Sequence, residues 1–119
     1  PLNNEELREA VRVWFEDRTV AILFYGHIAD WNVSEANDMS WLFSLKSDFD
    51  EDLSRWDVKN VVSMYGMFSG ASSFNADISG WNVANVEEMD YMFWKATAFS
   101  GNLGTWTVNP AVSQHRMFS

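Results

Sequence analysis

The chain has no cysteine among its 119 residues. That excludes disulfides, thiolate zinc sites, iron–sulfur clusters and thiol nucleophiles. Positive charge is scarce as well: eight Lys and Arg stand against seventeen Asp and Glu, a formal net charge of −9. Such a balance lacks the basic footprint that nucleic acid requires, and it opposes docking on anionic lipid by charge alone. The longest apolar run, Val20 to Tyr25, is far short of the about 18 residues of a membrane span. No signal-peptide pattern is visible, and the sequence opens on Pro1 rather than Met, as it would with a leader removed. Catalytic signatures are missing too. There is no G-x-S-x-G elbow and no Gly-rich phosphate loop. The two histidines, His27 and His115, have no acidic or Cys neighbour at ligand spacing. They read as a turn residue and a surface residue. No enzyme and no cofactor is expected.

What the chain does have is aromatic residues at a fixed interval. With 47% hydrophobic residues and 21% charged it is not a disordered tail. Its length fits one domain on the usual scale of roughly 100–200 residues. Trp recurs at 31, 56, 81 and 106, always 25 residues apart, with Val two places on at 33, 58, 83 and 108. Phe recurs at 43, 68, 93 and 118, each preceded by Leu42, Met67, Met92 or Met117, and again at 49, 74 and 99; Met recurs at 39, 64 and 89, and an aliphatic column runs Ile28, Leu53, Ile78, Leu103. Trp56–Gly80 and Trp81–Thr105 share nine identities in 25, all apolar but one Asn. Seven columns in register define an internal repeat.

The spacing within a repeat predicts its shape. Ile78, Trp81 and Val83 follow the L-x-x-L-x-L pattern of a leucine-rich-repeat strand. Val86, Met89, Met92 and Phe93, at offsets 0, 3, 6 and 7, read as one face of a helical or 3₁₀ return. The expected fold is therefore an α/β repeat, a leucine-rich-repeat-like solenoid of about four 25-residue coils. Residues 28–119 form the coils, anchored on Trp31, Trp56, Trp81 and Trp106, and residues 1–27 form an N-terminal helical cap of the same single domain. In the cap, Asn3 and Asn4 precede Glu5 and Glu6 as helix-start signals. Leu7, Ala10, Val11, Trp14 and Phe15 keep helical spacing, giving an amphipathic helix over 4–17. Pro110 and Gln114 make the fourth coil degenerate, either as a C-terminal cap or as a break in a longer array.

The string SFNADISGWNVANVEEMDYMF over 73–93 resembles the 25-residue repeat of BspA-like surface proteins of bacteria and single-celled algae. Phe74, Asn75, Asp77, Ile78, Ser79, Trp81, Val83, Asn85, Val86, Met89, Met92 and Phe93 carry the likeness. Glu6–Trp14 and Tyr25–Val33 resemble the lead-in of algal members. The departures are His27, Glu35, Pro110 and Gln114. The resemblance implies a leucine-rich-repeat-like solenoid and a surface location, with adhesion among the family's roles, but no shared activity or ligand.

Polar features read mainly as structure. Asp48, Asp50 and Asp52 have the 1, 3, 5 spacing of a calcium loop, but Leu53 stands where Gly is needed and Lys59 where Glu is needed. A solvated acidic turn is the better reading. Asn60 and Asn85 read as a ladder satisfying turn backbone, and the Trp column as a buried stack. Two surfaces remain as interface candidates. Trp41 and Trp94 lie off the repeat columns, beside Leu42 and Phe93, and Trp is enriched at hot spots. Asp30, Asn32, Arg55, Asp57 and Asn82 belong to a small, polar strand face suited to a protein or glycan. The expected function is a non-catalytic protein–protein interaction or structural module, such as an accessory or docking subunit of a larger assembly. The alternative is extracellular adhesion or glycan binding. The expected location is extracellular or cell-surface, alternatively an organelle lumen within a larger complex.

Overall fold

The helical cap starts where its sequence signals stand. In the computed structural model, which describes residues 1–119, helix α1 spans Asn4–Glu16. The Asn3 side chain accepts from the Glu6 N–H while the Glu6 carboxylate accepts from the Asn3 N–H, a complete capping box. Leu7, Ala10, Val11 and Trp14 face inward and are buried. A second helix, α2 (Arg18–Tyr25), follows at once. Asp17 caps it by accepting from the Val20 N–H, and Gly26 ends it at φ 79°, a conformation cheap only for glycine. The sequence reading did not place α2; both boundary residues were visible, but the short apolar run hid its helical period. A single 3₁₀ turn over Ile28–Asp30 completes the regular structure.

Beyond residue 30 the fold departs from expectation. The chain is not a leucine-rich-repeat-like α/β solenoid: it has two short helices and no strand or sheet, only isolated parallel bridges at Asp38–Ser63, Ser63–Glu88, Glu88–Ser113 and Phe93–Phe118. Its radius of gyration is 13.4 Å, that of a compact domain of this length, about 13.5 Å. The expected strands at Ile78–Val83 and their counterparts are turns without regular pairing, and the expected helical returns do not form.

The hydrogen bonds give the reason. Between Met39 and Lys46 the backbone alternates. Leu42, Ser44 and Lys46 N–H donate three residues back, to Met39, Trp41 and Phe43 carbonyls; Met39, Trp41, Phe43 and Leu45 N–H donate sideways, to Ser63, Tyr65, Met67 and Ser69 carbonyls. The next repeat does the same: Met64, Gly66, Phe68 and Gly70 donate to Glu88, Asp90, Met92 and Trp94, and then Met89, Tyr91 and Phe93 to Ser113, His115 and Met117. A helix would turn every bond inward and a strand every bond outward; this segment does each in turn. It can do so because every fourth residue sits at positive φ: Trp41 and Leu45, Gly66 and Gly70, Tyr91 and Lys95, and finally Arg116. Glycine takes that conformation freely, while each side-chain residue there costs roughly 1–2 kcal/mol.

Side chains 25 residues apart lie on one another. Phe43, Phe68, Phe93 and Phe118 stack at 5.6, 5.6 and 5.5 Å between ring centroids. Phe49, Phe74 and Phe99 form a parallel stack, at 6.0 and 5.9 Å. Trp31 stacks on Trp56 at 6.4 Å, whereas Trp81 stacks on Phe68 at 6.4 Å. The indole N–H groups of Trp56, Trp81 and Trp106 donate to the carbonyls of Ile28, Leu53 and Ile78, each 28 residues back. Trp31, Trp56 and Trp81 are buried, Trp106 only half so. One continuous apolar cluster runs from Leu7 to Met117.

Helix α1 covers the open side of the first repeat. The Asp38 and Ser40 carbonyls correspond to Ser63 and Tyr65, which accept backbone N–H bonds from the repeat before them. No repeat precedes them, and Arg8 takes its place: its guanidinium donates to the Ser40 and Asp38 carbonyls at 3.0 and 3.4 Å. Asn4 adds to this, accepting from the Asn37 N–H at 3.0 Å.

Candidate functional site

The polar columns are committed to the backbone. Asp52, Asp77 and Asn102 each accept, through Oδ1, the N–H two residues on. Asn32, Asp57, Asn82 and Asn109 repeat the arrangement. His27, where the repeat would place Asp, does the same through Nδ1, accepting from the Ala29 N–H at 3.1 Å. The Asn60 and Asn85 amides donate to the Ser34 and Lys59 carbonyls in the repeat before. These bonds hold two carboxylates ionised: the Ser54 N–H and then its hydroxyl lower the Asp52 pKa, and the Ser79 hydroxyl and then its N–H lower that of Asp77.

The face carrying Asp30, Asn32, Arg55, Asp57 and Asn82 is exposed. Arg55 pairs with Asp30 at 2.5 Å and Lys59 with Asp57 at 3.3 Å, while Asn32, Asp57 and Asn82 spend an oxygen on their own turns. It is an exposed polar surface. The acidic run is likewise dispersed: Asp50 accepts from the Asn75 N–H, Asp52 from Ser54, and no group of three or more His, Asp or Glu converges anywhere in the chain.

Trp41 and Trp94 lie on the alternating segments, and the structure adds three residues between and beside them. The Trp41 ring is 5.3 Å from Tyr65, Tyr65 is 5.8 Å from Tyr91, and Tyr91 meets Trp94 at 5.9 Å and His115 at 6.0 Å. The result is a row of aromatic rings crossing all four repeats on one side. Trp41 is 49% exposed; Tyr65, Tyr91 and Trp94 are half-buried and His115 is exposed. The backbone sets the row. At positive φ, Trp41 turns its ring across the next repeat at Gly66, where even a Cβ would come within 2.3 Å of it. Leu45, 79% exposed, lies over Gly70 in the same way. Lys95 places its ammonium 4.6 Å over the Trp94 ring.

The row is amphipathic. Asp90 accepts from the Ser113 hydroxyl and the His115 N–H. Partial burial, and then the neighbouring Tyr91, Asp90 and Glu88, push the Tyr65 phenol pKa upward, so that phenol stays a neutral donor at physiological pH. Tyr65, Tyr91 and His115 escaped the sequence reading because they do not share a column: Tyr65 and His115 occupy one position of the repeat, Trp41 and Tyr91 the next. Aromatic residues alternating between adjacent columns were the available signal.

A compact repeat protein with buried aromatic columns and one aromatic side is the class that this geometry defines. A family model described as Mycoplasma protein of unknown function, DUF285, matches residues 10–119, and the chain belongs to that family. No curated protein and no solved structure matches the chain. No helix is long and apolar enough to cross a membrane.

Proposed function

We propose that the protein is a non-catalytic docking module that binds another protein through the row Trp41–Tyr65–Tyr91–Trp94. The observation that carries this reading is the row itself: large rings left in contact with solvent, flanked by carboxylates and cations. Aromatic residues in that setting supply contact area at low conformational cost and are enriched at binding hot spots. The resemblance to BspA-like surface proteins supports a place at a cell surface. A second reading, glycan binding, is favoured by the half-exposed rings beside Glu88 and Asp90, since sugars stack on rings and donate to carboxylates.

Affinity capture from native extract with mass spectrometry, run on the wild type and on Tyr65→Ala and Trp94→Ser, tests the first reading. A partner held by the wild type and lost by both variants, with melting temperatures kept, is the expected result. A partner held equally by all three would move the interface to Asp30, Arg55 and Asp57. Glycan-array binding abolished by the same variants would favour the second reading.

A further inference from the structure

The middle of the aromatic row carries negative charge that the chain does not neutralise. The backbone holds Tyr65 between two acidic residues: the Met64 and Gly66 N–H groups on either side of it donate to the Glu88 and Asp90 carbonyls, each at 2.8 Å. Asp90 also occupies the repeat position of Tyr65, 25 residues on, and both carboxylates bear on the Tyr65 phenol. Glu88 is exposed and enters no ion pair. Asp90 accepts from the Ser113 hydroxyl and the His115 N–H and also meets no cation. The rings of Tyr65 and Tyr91 beside them are half-buried, 5.8 Å apart and tilted by 41°. These four residues lie in the inner repeats, with Trp41 of the first repeat on one flank and His115 of the fourth on the other. Positive charge on this side stands nearer the ends of the row. Arg8 is bound at the Asp38 and Ser40 carbonyls, and Lys95 lies over Trp94. Arg116, one repeat on from Tyr91, is exposed and pairs with neither carboxylate.

We infer that the protein partner presents a basic segment to this point, with an arginine or lysine cation lying over Tyr65 and Tyr91 and paired with Glu88 and Asp90. This rests on the reading of the row as a docking surface and names the chemistry of what docks there. Two attractions act together. A cation within about 6 Å of a ring is drawn to its face, and a carboxylate attracts it over about 8–10 Å at ordinary salt. The molecule makes the first contact three times with its own cations: Lys95 over Trp94 at 4.6 Å, Lys46 over Phe15 at 4.7 Å and Arg18 over Trp14 at 4.8 Å. About one such contact per 70–80 residues is usual. Arg18 combines the ring with a carboxylate, Glu51 at 3.9 Å, which is the arrangement inferred for the partner. Seven of the eight Lys and Arg already sit in an ion pair or over a ring. The charge that answers Glu88 and Asp90 is therefore best supplied from outside the chain. An acidic segment would be repelled by both carboxylates and by the net charge of −9.

The test is a titration of the ¹⁵N-labelled chain with an end-blocked peptide of alternating arginine and glycine, against one of alternating glutamate and glycine. The arginine peptide should give saturable shifts of the Tyr65, Glu88, Asp90 and Tyr91 amides, and the glutamate peptide none. Affinity should fall about fivefold or more when Glu88→Gln and Asp90→Asn are combined, and again with rising salt. Tyr91→Leu should weaken it as well, and Arg116→Gln should leave it equal or stronger. The same charge removed elsewhere, by Glu35→Gln with Asp48→Asn, should leave it within about twofold. No shift of those amides at millimolar arginine peptide would overturn the proposal. So would equal losses from the two double variants, because the peptide would then answer only the net charge, and so would weaker binding by Arg116→Gln. A protein partner captured through Tyr65 and Trp94 that ignores salt and the Glu88→Gln, Asp90→Asn pair would overturn this inference while the docking reading stands. Binding of a neutral glycan at the same amides, with none of the arginine peptide, would overturn both.

Discussion

Trp81 tests the buried columns most directly, because its ring and its N–H can be removed separately. Its side chain is 4% exposed, stacks on Phe68 and donates to the Leu53 carbonyl at 2.9 Å. Trp81→Phe keeps an aromatic ring but removes one of the two bonds to that carbonyl, which still accepts the Trp56 N–H at 3.1 Å. One such hydrogen bond is worth about 0.5–1.5 kcal/mol net. Trp81→Ala also opens a cavity, and loss of a buried Trp typically costs roughly 3–5 kcal/mol. The combined loss, about 3.5–6.5 kcal/mol, takes up much of a stability of order 5–15 kcal/mol. Thermal unfolding followed by near-ultraviolet circular dichroism should show Trp81→Phe melting about 2–6 °C below the wild type, taking ~4 °C per kcal/mol. Trp81→Ala should be largely unfolded at room temperature or melt more than about 14 °C lower. Trp106 donates the same bond, to Ile78 at 3.0 Å, from a half-buried place at the end of the column. Trp106→Ala should therefore cost about half as much as Trp81→Ala. An alanine at 81 that leaves the melting temperature within ~4 °C would refute the buried column. Equal losses at 81 and 106 would refute its gradation.

Arg8→Met should destabilise the fold by about 1.5–3 kcal/mol, since it removes charged donors from the Ser40 and Asp38 carbonyls; urea denaturation checks it, and Arg8→Lys should restore only part. Gly66→Ala should cost more than the roughly 1–2 kcal/mol of a left-handed alanine, because its Cβ meets the Trp41 ring; in a Trp41→Ala background the excess should vanish, as a double-mutant cycle would show. Trp94→Ser, which installs the residue found at Ser44, Ser69 and Ser119, should change stability by no more than about 1 kcal/mol while weakening partner binding by about 2 kcal/mol if Trp94 is a hot spot. Asp52 and Asp77 have folded pKa values below the ordinary carboxylate value, so their contribution is complete above that value, about 3.9, and is lost as pH falls through the folded values; the acid limb of a pH–stability curve should therefore shrink in Asp77→Asn, which keeps the acceptor but not the charge.

Burial was legible in the sequence and backbone conformation was not. The 25-residue columns mark residues that are buried here, among them Ile28, Leu53, Ile78, Met39, Met64 and Met89. Large apolar side chains at a fixed spacing have few other reasons to recur. The return from Val86 to Phe93 was misread because offsets 0, 3, 6 and 7 suit a helix face. They suit equally a run of turns in which every second N–H reaches three residues back. Gly66 and Gly70, four apart, were the trace of the second possibility. In the neighbouring repeats that trace is masked by Trp41 and Leu45 and by Tyr91 and Lys95, which hold positive φ despite their side chains. The interface candidates divided along the same line. Trp41 and Trp94 stood out as departures from the repeat, and both belong to the aromatic row. Asn32, Asp57 and Asn82 recur at 25-residue spacing, and each has a backbone bond to make.

That division follows from how the repeats are joined. A column residue must serve every junction it touches, so repetition and structural duty go together. A residue free of its column can depart without disturbing the stack, provided that the backbone at that point tolerates it. The alternating segment supplies that tolerance, because half of its hydrogen bonds run to the neighbouring repeat whatever the side chain is. Gly66, Trp41 and Tyr91 show this at one position: three very different side chains keep the same φ sign and make the same sideways donation. The aromatic row thus lies where the main chain keeps one course while the side chains differ from repeat to repeat. Such a site can carry a binding surface that differs from repeat to repeat while the columns behind it stay the same.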